Sequence, residues 1–312
     1  MALTGLAAVA VSRPLDIELG VVPELDDLDD PESITLEHGE ATIRGARGTT
    51  LYAQWWRPCG PCRGAVAVVH GLKDHSARYS SFAERLVHRG FAVHAFDLRG
   101  HGRSEGPRAW VDCFDDYVAD LHAAVSCVRS RERGVPLFVL GHGLGAAIAT
   151  LWGLDAKVPL AGLILSGAAL QPHPVGAEAR STRLLSVLAP RARILQLDVR
   201  RTCRDRRTVE DSLRDALVDP FPAPARTAKE LLDAMQRIEE RAPELTVPLL
   251  AMHGSADVVN DPDGSRRLVA RAKSVDKQLY LYDGLAHDLL HEPERARVMR
   301  DVGEWLKERS GR

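Results

Sequence analysis

Two sets of residues in this sequence have the types and spacing to do chemistry. The first is Cys59-Gly60-Pro61-Cys62, the spelling of a redox dithiol whose first thiol is made acidic by the N-terminus of a following helix. Here the motif is followed by Ala65 to His70, an apolar β run, so it lies in a turn between strands and no redox role is expected. The second set consists of His, Asp, Arg and Ser residues held among glycines in four places. They are Val69-His70-Gly71-Leu72; Phe96-Asp97-Leu98-Arg99-Gly100-His101-Gly102-Arg103-Ser104; Leu140-Gly141-His142-Gly143-Leu144-Gly145-Ala146; and His253-Gly254-Ser255-Ala256-Asp257 paired with Gly284-Leu285-Ala286-His287. Each stands at the C-terminal end of a predicted strand, where open parallel sheets place their sites. No His/Cys/Asp cluster has metal-ligand spacing, so neither a metal nor another cofactor is expected.

The elements that must position these segments are legible as a rhythm. Short apolar runs at Ala65–His70, Ala92–Asp97, Leu137–Gly141, Gly162–Ser166 and Leu249–Gly254 lack a polar residue at every second position, as strands buried on both faces do. A sixth run is Gln278–Tyr282, and helix-length stretches such as Tyr79–Arg89 and Phe114–Arg129 lie between strands. Ser33–Arg44 and Thr49–Arg57 alternate more openly and are expected as antiparallel edge strands. Alternating β and α elements predict an α/β fold with helices on both faces of a mostly parallel sheet. The rhythm breaks between Gly167 and Leu245, a Pro-rich stretch with no convincing strand and helical blocks at Ser181–Leu188, Val209–Leu217 and Thr227–Glu240. The expected organisation is an N-terminal extension at 1–32, a core at 33–166 and 246–312, and an inserted helical cap at 167–245.

Composition narrows the function classes. The 312 residues carry 41 Lys+Arg against 43 Asp+Glu, a net charge of −2 that argues against a nucleic-acid partner. No run approaches the ~18 apolar residues of a membrane span. Met1–Val11 is apolar but lacks the cationic start of a secretory signal, and five cysteines is an odd number. Both point to reduced thiols in a cytoplasmic protein. A trimmed signal or anchor at Met1–Val11 would instead make it secreted or membrane-associated. Asp26–Asp30 reads as a solvated acidic turn.

Taken together, the glycine-rich segments resemble those of the α/β-hydrolase fold, and more narrowly of its monoacylglycerol lipase and lysophospholipase-like branch. The densest matches are His70-Gly71 with Asp74-His75-Ser76-Ala77-Arg78-Tyr79, the run Gly100-His101-Gly102-Arg103-Ser104-Glu105-Gly106, and Phe114-Asp115-Asp116-Tyr117. The resemblance runs from about Ser33 to Lys307. It implies acyl transfer by a serine on a strand-to-helix turn, Gly-x-Ser-x-Gly, with acid and histidine following in chain order. It also implies Asp257 as the acid, His287 as the base, and the backbone N–H groups of Leu72 and Leu144 as oxyanion donors, each worth roughly 3 to 4 kcal/mol in a comparable site. The implied ligand is an acyl ester or monoacylglycerol-like lipid, for which a near-neutral chain needs no electrostatic capture.

The nucleophile departs from that pattern. The turn reads Gly141-His142-Gly143-Leu144-Gly145, so the attacking hydroxyl is absent. Glycine tolerates the strained backbone of such a turn, so folding is expected to be unharmed. Removing a triad serine costs about 10⁶ in kcat, roughly 8 kcal/mol. Ser166, Ser255 and Cys113 are weighed as replacements and not expected to serve. His70, Asp97, Arg99, His101, His142, His253 and His291 are expected to be structural, and Asp261 and Asp263 are the alternatives to Asp257.

The cap holds the only clue to substrate. Leu184, Leu185 and Leu188, with Ile194, Leu195, Arg191 and Arg193, are expected to form an apolar surface with a polar rim. In the resembling branch such a surface covers an acyl tunnel and can touch membranes transiently; equally, these leucines can simply pack the cap onto the core. Three readings stay open: a serine ester hydrolase of the monoacylglycerol lipase type whose nucleophile has been replaced, a non-catalytic binding or sensing module on the same fold, and a redox protein acting through Cys59 and Cys62.

Overall fold

Fully buried strands must be apolar on both faces, and the five runs of that kind become the middle of the sheet. The computed structural model describes residues 35–171 and 177–311. The extension 1–32, with its apolar start and the Asp26–Asp30 cluster, lies outside them. The strands are β1 (Leu36–Arg44), β2 (Thr50–Pro58), β3 (Gly64–Val69), β4 (Phe91–Phe96), β5 (Leu137–His142), β6 (Gly162–Ser166), β7 (Arg193–Leu195), β8 (Ala223–Pro224), β9 (Leu249–Gly254) and β10 (Lys277–Tyr282). The helices are α1 (Ser80–His88), α2 (Phe114–Arg131), α3 (Leu144–Asp155), α4 (Ala177–Leu188), α5 (Arg206–Arg214), α6 (Ala225–Arg241), α7 (Pro262–Arg271) and α8 (Arg295–Arg309).

Eight strands form one sheet in the order β1-β2-β4-β3-β5-β6-β9-β10. β1 pairs with β2, and β2 with β4, antiparallel; every other pairing is parallel. The strand period of two divides the core into two layers. In β3, Ala65, Ala67 and Val69 face a cluster that holds α2, α3 and α6, whereas Val66 and Val68 face one that holds α1 and α8. The architecture is the expected α/β one, with a mostly parallel sheet between helical layers. All the parallel strands point their C-terminal ends to one side, and the glycine-rich segments gather there.

The chain between β6 and β9 departs from expectation in two details. It contains a short antiparallel ribbon, β7 with β8, where no strand is expected. Strands of three and two residues, one ending in proline, are too short to show alternation. α5 also begins earlier than Val209 and ends at Arg214, because the Asp205 side chain accepts from the N–H groups of Arg207 and Thr208 and so caps the first turn. α6 faces two ways along its length. Ala234 and Ile238, followed by Ala242 and Leu245, join the same core cluster as Ile148 and Leu151 of α3. Among the described residues no helix is long and apolar enough to cross a membrane.

Candidate active site

β5 is buried throughout and α3 begins two residues after its last residue, His142, so the chain must reverse at one residue. That residue is Gly143, with φ 53° and ψ −114°, a conformation costly for a side chain. Its N–H donates to the Ser166 carbonyl (3.0 Å), and its own carbonyl accepts from Ala146 and Ala169. Two residues on, Gly145 lies so close to β3 that an added Cβ would sit 2.1 Å from the Val69 carbonyl oxygen. The alternate glycines therefore let α3 start hard against the sheet. A Cβ built on Gly143 would point at His287, 3.3 Å from its Nε2.

His287 lies in the loop after β10, and Asp257 in the loop after β9. The His287 Nδ1–H donates to Asp257 Oδ2 across 2.8 Å. The other carboxylate oxygen accepts from the backbone N–H of Val259 (2.7 Å) and Asn260 (3.0 Å). His253 Nε2 lies 3.0 Å from the same Oδ2, and its Nδ1 is held by Ser265 Oγ at 2.8 Å. Burial raises the Asp257 pKa, but the His287 charge and the two histidine hydrogen bonds outweigh it and hold the carboxyl well below its ordinary range. For His287 burial acts downward, and the Asp257 carboxylate overrides it, leaving the imidazole raised. His142 packs against the same ring with centroids 4.6 Å apart and has no carboxylate contact, so burial pushes it down to about 4.

The loop after β3 is fixed by His70. Its Nδ1–H donates to the Gly71 carbonyl (2.7 Å) and its Nε2 accepts the Leu98 N–H (2.9 Å), which defines one neutral tautomer. Leu72 follows, and neither its N–H nor that of Leu144 has a protein acceptor among the described residues. Both residues line one cavity with Gly143 and His287. The next residue, Lys73, ties this loop to the segment after β7 through a hydrogen bond from Nζ to the Leu197 carbonyl, 3.3 Å.

That cavity has a volume of about 450 Å³. Its apolar wall comes from α6, where Ala228, Leu231, Leu232 and Met235 follow helical spacing, and from Leu195 and Leu197. The leucines expected to bind substrate lie elsewhere. Leu184 and Leu188 are 59% and 72% exposed, Leu185 is also exposed, and none lines the cavity. α4 turns Ala179 and Thr182 inward instead, so its leucine face looks out. Periodicity marks a stripe on a helix without saying which neighbour it meets.

The Hydrolase_4 family, described as serine aminopeptidase, S33, matches residues 60–294, three quarters of the chain and every residue of this site. The chain belongs to this family. Within it, the chain is similar to the monoacylglycerol lipase of Mycolicibacterium smegmatis, with 33% identity over 88% of this chain and 98% of the relative. The monoglyceride lipase of Homo sapiens is 32% identical over 85% and 89%. The crystal structure of Paleococcus ferrophilus monoacylglycerol lipase superposes with a TM-score of 0.74 at 28% identity, covering 83% of this chain and 99% of that one. The fold is thus that of an α/β-hydrolase, and the chain is of the serine ester hydrolase type.

Other residues of this hydrolase fall into place as supports. Asp97 accepts from the N–H groups of Ser76 and Arg103 (2.7 Å each), and Arg99 forks onto Asp120 (2.6 and 2.7 Å). The His101 Nδ1–H donates to the Arg99 carbonyl (3.0 Å), and His291 sits between Asp288 and the Arg78 carbonyl. Asp261 caps α7 and Asp263 is exposed in its first turn, which leaves Asp257 as the carboxylate at His287. Ser166 is fully buried, Ser255 pairs with Asp283, and Cys113 precedes α2, so none faces His287 from the cavity. Burial and the Glu132 carboxylate push the Cys62 thiol up, the reverse of an activated dithiol. Sequence reasoning missed His253 as a second partner of Asp257. It also missed the lining stripe of α6, whose 228/231/232/235 spacing was visible but reads equally as core.

Proposed function

We propose that this chain is a monoacylglycerol lipase-type ester hydrolase in architecture that holds an acyl ester without forming an acyl-enzyme. In this reading Asp257 is the acid, His287 the base, and the N–H groups of Leu72 and Leu144 the oxyanion donors. Gly143 occupies the nucleophile position, and the cavity takes the acyl chain of a monoacylglycerol-like lipid. The observation that carries it is the direction of a Cβ placed on Gly143, which would meet His287 Nε2 at 3.3 Å, so a serine at this turn would stand beside the imidazole. We read 167–245 as the cap over this cavity.

With a serine in place, its hydroxyl proton would pass to His287 Nε2 as the oxygen attacks the ester carbon. The carbonyl oxygen would become an anion facing Leu72 and Leu144. The tetrahedral intermediate would then expel the alcohol, protonated by the same imidazole, and water would repeat the sequence on the acyl-serine. With Gly143 in that place the chain has no hydroxyl there to begin this. Gly143→Ser is therefore the test, assayed on p-nitrophenyl esters and monoacylglycerols. Turnover supports the hydrolase assignment, and an inert but folded variant that still binds lipid supports the second reading, a non-catalytic binding or sensing module. What favours that module is a complete cavity around a site without its nucleophile.

The exposed face of α4, with Leu184, Leu185, Val187 and Leu188, supports a transient contact of the cap with a membrane surface. The five free thiols support a reducing, cytoplasmic setting.

A further inference from the structure

We infer that the site, as Gly143 shapes it, binds a free long-chain carboxylate more tightly than the corresponding ester. The inference rests on the ligand-binding reading above and names the ligand class. A carboxylate has two strong acceptor oxygens on one carbon, whereas an ester has one and a weakly accepting alkoxy oxygen. The site has donors for two. One is the pair of N–H groups of Leu72 and Leu144, which have no protein acceptor among the described residues. The second is His287 Nε2. The His287 side chain is 6% exposed, its Nδ1 is committed to Asp257, and Nε2 faces the cavity with no hydrogen-bond partner among the described residues.

Gly143 makes these two donor sets usable at once. Gly143 and His287 line the same cavity, and with no side chain at position 143 nothing on that turn stands between the second oxygen and Nε2. The first turn of the 12-residue α3 adds the favourable end of its dipole. The charges around His287 are matched before a ligand arrives. Asp257 faces it directly; Asp74 and Asp288 are balanced by Arg78 (2.9 and 3.0 Å) and His291 (2.7 Å from Asp288). His142 across the ring is held neutral. Asp257 keeps His287 in its protonated form over a wider pH range, so Nε2 donates. The alkyl chain lies along Leu231, Leu232 and Met235.

The test is calorimetric titration of the unaltered 312-residue chain with decanoate below its micelle concentration, against methyl decanoate and decanol. Decanoate should bind at least about tenfold more tightly than the ester, the effect of one charge-assisted hydrogen bond. Octanoate to decanoate should tighten binding about fourfold per methylene. Above the imidazole's titration, binding should take up a proton, seen as a heat that changes with the buffer's ionisation enthalpy, and should weaken as pH rises. His287→Gln should bring decanoate down to the level of the ester. Equal affinity for acid and ester, or no proton uptake by the unaltered chain, overturns the carboxylate inference and leaves the ligand-binding reading standing. Failure of all three ligands to bind overturns both. Proton uptake is read on the unaltered chain, so the outcome does not depend on a variant folding.

Discussion

The rings of His142 and His287 pack with centroids 4.6 Å apart and are equally buried, yet a carboxylate beside only one of them gives the pair opposite protonation behaviour. Of the two rings Asp257 touches only that of His287, so this imidazole is raised while His142 falls to about 4. One ring is thereby kept as an uncharged wall and the other as the titrating group.

A pH dependence of stability follows. Folded His142 and His101 both titrate at about 4, against about 6.5 in an unfolded chain. Between those values the unfolded chain binds more protons, so stability falls as pH drops through that window, by at most about 1.4 kcal/mol per pH unit for each ring. The raised His287 and His291 act in a separate window, contributing stability that is lost as pH rises through their folded pKa. Urea unfolding at pH 7 and pH 5 should show the loss, and His142→Asn should reduce its slope by about one proton's worth; an unchanged slope would rule the mechanism out.

Gly143→Ser should raise kcat on short p-nitrophenyl esters by several orders of magnitude, up to about 10⁶. The positive φ at this position makes the serine strained, at about 1 to 3 kcal/mol. A lower melting temperature should therefore accompany the gain in activity, and an increase in both would contradict the strained-turn account.

In the Gly143→Ser background the acid limb of the pH–rate profile should lie above the pKa of a free imidazole, since protonated His287 cannot act as base. Adding Asp257→Asn removes the charge that raises it, so the limb should move to lower pH and kcat should fall by about 10⁴. A profile that does not shift would mean Asp257 does not control His287.

Gly145→Ala tests the packing behind the turn. A Cβ there meets the Val69 carbonyl oxygen at 2.1 Å and that of His70 at 2.5 Å, and backbone cannot swing away as a side chain can. The expected loss is about 3 kcal/mol or more, read by urea unfolding. A loss under about 1 kcal/mol would show that α3 can lift off the sheet cheaply.

The outward leucines of α4 can be changed without touching the core. Leu184→Glu with Leu188→Glu should leave the melting temperature within a degree or so, because both side chains are exposed. Co-sedimentation with phosphatidylcholine and phosphatidylglycerol vesicles should drop if this face meets lipid; equal sedimentation of both chains would remove the membrane contact.

Strands were legible because a strand buried on both faces is written as an unbroken apolar run: Gly162–Ser166 and Leu249–Gly254 fall at the bounds read from sequence. The turn at Gly143 was legible because few conformations join a buried strand to a helix so abruptly. The inward face of α4 was not. Leu184, Leu185 and Leu188 carry the stripe that sequence reading assigns to ligand, and the structure turns Ala179 and Thr182 to the cavity in their place.

The amino-acid sequence by itself determined the order of the core strands, the family pattern and the absence of a hydroxyl at position 143, because these depend on residue type and local spacing. Tertiary structure alone decided that Asp257 and His287, 30 positions apart, share a 2.8 Å hydrogen bond, and that His253 stands behind them. It also decided that α6 supplies the wall of the cavity. Those outcomes depend on which faces pack together, a long-range property set by the whole core and carried by no single segment.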